Sequence, residues 1–189
     1  MTIARPRIAF QGAPGAFSED AIRAFWGDDT IAVPCHTFSD TLAAVRSGAA
    51  DGAVIPVENL VAGPITPALD ALDDFSDGLT IGGSTEVPIV HALMSVPGSS
   101  LDQLRLITTH PIAILQCRKY LDTLGVRVEE FFDTAGAARM VRESGDPSIA
   151  AVASHAAAAR YGLEILVDGI QDVPDNWTRF VRIEAGGGA

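Results

Sequence analysis

Short β-rich runs alternate with alanine-rich stretches along almost the whole chain, and this alternation restricts the fold more than any other feature. Arg7–Gln11, Ile31–Cys35 and Gly52–Val57 read as strands, with a helix from about Ser18 to Trp26 and a second after Thr37 lying between them. Thr37 and Asp40 are spaced as a capping box, Phe38, Leu42 and Val45 give the second helix one apolar face, and Gly48 ends it. Gly52–Val57 is apolar enough to be buried on both sides, which argues for a parallel sheet. Further on, Thr80–Val96 holds one or two strands broken near Pro88. Leu104–Thr108, Arg127–Phe132 and Ile149–Ala153 are strands, and His110–Leu124, Thr134–Ser144 and His155–Tyr161 are helices. Trp177–Glu184 is a final strand, and Gly186-Gly-Gly-Ala189 reads as a frayed end. No repeat of 20–50 residues is visible, so a solenoid is excluded.

The expected fold is α/β, in two lobes with mainly parallel sheets. Gly82-Gly83 and the polar turn Asp172–Asp175 are candidate hinges, placing residues 1–82 and 170–189 in one lobe and 83–169 in the other. Two crossings would leave a cleft between the lobes, where ligands of α/β proteins commonly sit.

The 189 residues suffice for a real core, 48% are apolar, and disorder is not expected. The formal charge of −11, with no stretch concentrating Lys and Arg, argues against a nucleic-acid partner. An anionic ligand would need a locally positive or N–H-rich site. Cys35 and Cys117 are far apart without metal-ligand spacing, so neither a disulfide framework nor a zinc site is expected. No run spans a membrane and no signal-peptide core follows Met1, so a cytoplasmic protein is expected.

Four segments could carry chemistry. Gln11-Gly-Ala-Pro-Gly-Ala-Phe-Ser18 is a glycine-rich strand-to-helix turn that could hold an anion, or could simply turn the chain; it has neither dinucleotide nor P-loop spacing. Pro56-Val-Glu-Asn59 lies directly after a buried strand, and its polar residues either face a ligand or cap the next helix. Thr108-Thr-His-Pro111 enters a helix carrying Gln116, and Thr109 could be no more than its N-cap. Asn176-Trp-Thr-Arg-Phe180 holds an arginine that could grip a carboxylate in bidentate fashion or be an ordinary strand residue. No Ser/His/Asp or Cys/His arrangement is evident.

In this order the four segments resemble the prephenate dehydratase family, which includes the plant arogenate dehydratases. The resemblance runs from Ile8 to Ile183. It takes in Ala9–Ser18, Pro56-Val-Glu-Asn59, Thr109-His-Pro111 with Gln116-Cys117, Asp133–Ala138, Tyr161-Gly-Leu163, Ile170-Gln-Asp172 and the most specific element, Thr178-Arg-Phe180. It implies two lobes like type II periplasmic binding proteins, an interlobe active site, and cofactor-free, metal-free conversion of prephenate to phenylpyruvate, water and carbon dioxide. It further implies Thr178 as the essential threonine and Glu58 as a second catalytic group. Asn59, Thr109, Gln116, Arg179, Phe180 and Ala16 become substrate contacts, and Asp133 stands at a matching acidic position.

The chain departs from the pattern at Leu60 and Thr109, where the family usually has serine, and at Gly63-Pro64. It stops where the family usually continues into a regulatory ACT domain, so no response to phenylalanine is expected. Partners are expected to be the small-molecule substrate and further copies of the chain, with no nucleic acid or membrane. Arogenate dehydratase, a non-aromatising prephenate decarboxylase and a non-catalytic binding module are the alternatives. Retention of Thr-Arg-Phe and Glu-Asn favours dehydration over decarboxylation alone.

Overall fold

The computed structural model describes residues 4–75 and 78–186, so the expected frayed tail beyond Gly186 lies outside the described residues. The chain divides into two compact units. Unit 1 comprises 1–12, 17–88 and 177–189, and unit 2 comprises 13–16 and 89–176.

Unit 1 is built on strands β1 (Arg7–Gln11), β2 (Ile31–Cys35), β3 (Gly52–Asn59), the short β4 (Gly63–Pro64), β5 (Leu79–Pro88) and β11 (Trp177–Ala185). Its main path runs β2-β1-β3-β11-β5, with β4 paired to β3. The sheet is mixed rather than mainly parallel. The β1 pairs are parallel because helices α1 (Ser18–Trp26) and α2 (Phe38–Arg46) carry the chain back, whereas β11 runs antiparallel to both β3 and β5. The Thr37–Asp40 capping box is present, with Asp40 N donating to Thr37 Oγ1 at 3.0 Å and Thr37 N to Asp40 Oδ2 at 3.1 Å.

Period-two alternation sorts β11 into two faces. Val181 and Ile183 pack with Ala53, Ile55, Leu42 and Val45 and with Ala68 and Ala71 of helix α3 (Thr66–Asp74). Arg182 points the other way, over the rings of Phe25 and Trp26 in α1. Helices therefore cover both faces of this sheet.

Unit 2 repeats the plan. Its strands are β6 (Ala92–Ser95), β7 (Leu106–Thr109), β8 (Arg127–Glu130), β9 (Ile149–Ala153) and β10 (Glu164–Val167), in the order β10-β6-β9-β7-β8. Here too the sheet is half parallel: β7 pairs in parallel with β8 and β9, while β6 is antiparallel to β9 and β10. Ala151, Ala153, Ala92 and Met94 face helices α6 (Thr134–Ser144) and α7 (His155–Tyr161). Ala150, Val152, Leu93 and Ile107 face Cys117 and Leu121. The expected helix over 110–124 is two, α4 (Pro111–Gln116) and α5 (Arg118–Leu124), broken at Cys117, where φ is −116°. Burial pushes the Cys117 thiol up to about 12 and leaves it inert.

The expected boundaries move. Gly82-Gly83 is no crossing point but lies within β5, at a register shift opposite Arg182 and Ile183 where Gly82 is the extra residue. A bulge, not a hinge, is what the glycines serve. Residues 170–172 are tied into unit 2 by hydrogen bonds to His91, Gln116 and Lys119, so the chain returns to unit 1 only after Asn176. Ala13–Ala16, expected with the first lobe, belongs to unit 2.

Candidate active site

In unit 1 the expected residues cluster where β3, β11 and β5 run side by side. Thr178 pairs with Asn59, and Arg179 with Glu58 on one side and Glu86 on the other. Asn59 is buried and fully used. Its Nδ2 donates to Thr178 Oγ1 at 3.0 Å and to Trp177 O at 2.8 Å, while its Oδ1 accepts from Val61 N at 3.0 Å and Ala62 N at 2.9 Å. Donation by an amide occupies a lone pair on Thr178 Oγ1 and leaves the hydroxyl's own proton to be given elsewhere. Thr178, 8% exposed, is thus held as a hydrogen-bond donor.

Arg179 and Glu58 sit on the other face. The Arg179 guanidinium donates to Glu58 Oε2 at 2.5 Å and to Glu86 Oε1 at 2.8 Å, and stacks 5.0 Å from the Trp177 ring centroid. The Glu86 hydrogen bond is the main reason its pKa rises above the ordinary arginine value. The fork expected to grip a ligand carboxylate therefore already holds two protein carboxylates.

A register shift explains the sorting. Arg179 pairs with Glu58 but Phe180 with Pro56, so Val57 is an extra residue on β3. Pro56 lacks the N–H that an unbroken ladder needs, and a bulge is where a strand tolerates it. Simple alternation from Ile55 would put Glu58 on the face of Thr178 and Asn59 on the other. One inserted residue exchanges them. Phe180 shares the face of Thr178 but is 3% exposed and acts as core.

In unit 2, Thr109 is fully buried and its Oγ1 donates to Val152 O at 2.6 Å, linking β7 to β9. His110, not Thr109, caps α4: its Nδ1 accepts from Ile112 N at 3.2 Å. Asp133 caps α6, accepting from Gly136 N at 2.5 Å. Gln116 ends α4, with its Oε1 2.7 Å from Nε2 of His91, a buried histidine that sequence reasoning passed over. Its one signal was a polar residue inside the apolar run Ile89–Met94.

Ala16 packs on the α6–α7 core, in a loop whose carbonyls are taken by α7. Ser154 Oγ donates to Gly15 O at 2.6 Å and Tyr161 Oη to Pro14 O at 2.7 Å. Gly15 has φ +94°, and a Cβ there would lie 2.8 Å from Ala157 Cα. Gly15→Ala is accordingly expected to destabilise the protein by about 1–3 kcal/mol, combining left-handed strain with backbone overlap. Denaturant melts check this, and an unchanged midpoint would contradict it.

Burial pushes the pKa of His91 below the ordinary histidine value, as it does that of His110, so both are neutral in the folded chain. The unfolded chain binds these protons near pH 6.5 and the folded chain only at lower pH. Their contribution is therefore present above about pH 6.5 and is lost as pH falls through the folded values. The melting temperature is expected to decline from pH 7 towards pH 5, and less steeply in His91→Gln. A flat profile would refute this. Asp51 and Asp146, whose pKa values are lowered chiefly by backbone N–H donors from Arg7 and Ser148, act only below about pH 4 and do not confuse the reading.

Among the described residues no group of three or more His, Cys, Asp or Glu side chains forms a candidate metal set, and no helix is long and apolar enough to cross a membrane. Two α/β units, each a mixed sheet with helices packed on it, define the class of type II periplasmic-binding-protein-like folds. A periplasmic substrate-binding protein of an ABC transporter from Coxiella burnetii is similar in fold alone, with a TM-score of 0.52 at 15% identity over 95% of this chain and 84% of that one.

The chain belongs to the prephenate dehydratase family, whose model, "Prephenate dehydratase", matches residues 8–187. It is 46% identical over 174 residues to a bifunctional N-acyl-homoserine lactone acylase/prephenate dehydratase of Komagataeibacter europaeus, covering 92% of this chain and 60% of that protein. It is 41% identical over 179 residues to arogenate dehydratase/prephenate dehydratase 6, chloroplastic, of Arabidopsis thaliana, covering 94% and 43%. The crystal structure of a prephenate dehydratase from Arthrobacter aurescens in complex with L-Phe is similar with a TM-score of 0.87 at 34% identity, over 96% of this chain and 61% of that one. The chain thus spans 43–60% of the length of these curated relatives.

Proposed function

We propose that this protein is a prephenate dehydratase of aromatic amino-acid biosynthesis, converting prephenate to phenylpyruvate with loss of water and carbon dioxide and needing no metal or nucleotide. The observation that carries the reading is the buried hydrogen bond from Asn59 to Thr178, which presents the threonine hydroxyl as a donor. Prephenate reacts by breaking two bonds. The ring C–O bond departs towards water, and the ring C–carboxylate bond gives its electron pair to the aromatising ring as carbon dioxide leaves. One proton is consumed, by the departing oxygen. Thr178 hydrogen-bonds that oxygen and passes a proton to it by relay, since a lone hydroxyl is too weak an acid to act outright. Aromatisation supplies the driving force, and preorganisation of the donor supplies the rate. Gln116 is proposed to hold the substrate through its amide.

Glu58 and Arg179 act, in this reading, as a clamp with Glu86 across β3, β11 and β5 that fixes the register placing Asn59 against Thr178. Arg179→Leu is therefore expected to lower the melting temperature and kcat while moving the Michaelis constant less than about threefold. Loss of a direct charge-assisted contact to a substrate carboxylate would raise that constant roughly tenfold or more, and kinetics would show it.

Prephenate and arogenate differ only in the side chain, so both belong in the test. Purified protein with a chelator is incubated with each and the aromatic product identified. Phenylpyruvate from prephenate supports the proposal. Phenylalanine from arogenate alone moves it to arogenate dehydratase. Activity that needs added metal defeats the cofactor-free mechanism.

A further inference from the structure

The glycine-rich turn that ends at Ser18 has no part in the chemistry above. Ser18 opens α1, a nine-residue helix whose N-cap, Phe17, supplies no capping side chain. Asp20 N and Ala21 N donate to Phe17 O at 3.0 and 3.3 Å. Ser18 is 8% exposed, yet neither its N–H nor its hydroxyl has a partner among the described residues. The unpartnered side-chain atoms sealed from solvent do not include its oxygen, so the hydroxyl stays within reach of a ligand. Two open donors on one buried residue cost free energy in the empty protein, and an acceptor from outside recovers it.

The placement of α1 says where such an acceptor would sit. Ser18, Ala21 and Ile22 form the buried stripe by which α1 packs on the unit 1 sheet, whereas Glu19 and Asp20 lie off that stripe and Asp20 is paired with Arg23. The far end of the helix is fixed at the start of β3. There the Trp26 ring lies 3.0 Å from the place of a Cβ on Gly52, and Phe25 and Trp26 stack with Arg182. From Trp26 back to Ser18 is about 12 Å of helix, and from Arg182 back to Thr178 about 13 Å of strand. Arg182 and Thr178 share one face of β11. The first turn of α1 therefore stands on the Thr178 face of the sheet and at the Thr178 end.

Arg179 is on the opposite face and already holds Glu58 and Glu86, so a carboxylate beside Thr178 needs other donors. We infer that Ser18 and the first turn of α1 form a carboxylate-binding subsite beside Thr178, and that it takes the side-chain carboxylate of prephenate rather than the one on the ring. A helix N-terminus and a free hydroxyl suit an anionic oxygen. The same donors would hold a ring carboxylate in its charged form and oppose its loss as neutral carbon dioxide, so the group that meets them is the one that survives the reaction. The identity of the ligand rests on the dehydratase reading. The same carboxylate ends phenylpyruvate, however, so the subsite can be read without turnover.

Ser18→Ala in the intact protein is the test. Binding of phenylpyruvate, followed by titration calorimetry, is expected to weaken about tenfold or more, the scale of one hydrogen bond to a charged group. The Michaelis constant for prephenate should rise by a like factor while kcat changes less than about threefold, because a carboxylate that does not react is held alike in ground and transition states. The melting temperature without ligand should hold or rise, since alanine removes an unmatched hydroxyl and favours helix. Phenylacetone, the same ketone without the carboxylate, should bind wild type weakly and be indifferent to the substitution. Failure of wild type to bind phenylpyruvate, an affinity unchanged in the variant, or an equal loss for phenylacetone would overturn the subsite. A wild type that binds phenylpyruvate through Ser18 but leaves prephenate unchanged would defeat the dehydratase reading and keep the subsite.

Discussion

Thr178→Val is expected to lower kcat for prephenate by roughly 10²–10³-fold, the loss typical of removing one preorganised donor. Valine keeps the shape and the strand preference and deletes only the hydroxyl. The Michaelis constant should move far less, because the bond to the departing oxygen strengthens as negative charge develops there. Folding should suffer little. Asn59 Nδ2 loses one acceptor but retains Trp177 O at 2.8 Å, so a cost of about 1 kcal/mol is anticipated. Steady-state kinetics beside a thermal melt separate the two effects. A valine variant turning over near the wild-type rate would remove Thr178 from the mechanism.

Asn59→Ala should damage both folding and rate. It deletes hydrogen bonds to Thr178 Oγ1, Trp177 O, Val61 N and Ala62 N at a site only 4% exposed. The expected destabilisation is about 2–4 kcal/mol, held to that range because the tip at Leu60 and Val61 is exposed and water can reach the freed N–H groups. Asn59→Asp keeps the turn bonds but not the donor. An aspartate still accepts from Val61 and Ala62, but its other oxygen meets the Trp177 carbonyl and no longer donates to Thr178, so it should remain slow and recover little of the stability. Combined with Thr178→Val it should cost little further rate, since the two side chains act as one unit. Additive losses would show that Asn59 works through something other than the hydroxyl.

These outcomes hang on details the sequence carries unevenly. The strand–helix alternation and the Thr37 cap were legible because periodicity and capping are local. Helix α3 escaped notice because Ile65 precedes it without a capping side chain and Pro64 and Pro67 read as loop. Strand β10 is a four-residue edge that, among the described residues, pairs with β6 alone. The residue types at the site were visible as motifs, but their facing was not. Thr178 and Arg179 are neighbours in sequence and so point to opposite faces of the strand, while Glu58 and Asn59 exchange faces only because Val57 is extra. A bulge is set by pairing with a strand more than a hundred residues away, and nothing local announces it. His91 was hidden for a similar reason: its meaning lies in Gln116 and in the segment 170–172, which only tertiary structure brings together.

The central claim, that this chain removes the ring hydroxyl of prephenate with the aid of the Thr178 hydroxyl, is tested most directly by product stoichiometry. Wild type and Thr178→Val are incubated with prephenate near neutral pH in the presence of a chelator, and carbon dioxide and phenylpyruvate are measured together. The account predicts one phenylpyruvate for each carbon dioxide from wild type and a rate roughly 10²–10³-fold lower from the variant. Carbon dioxide released from wild type with the ring hydroxyl retained and no phenylpyruvate formed would contradict it.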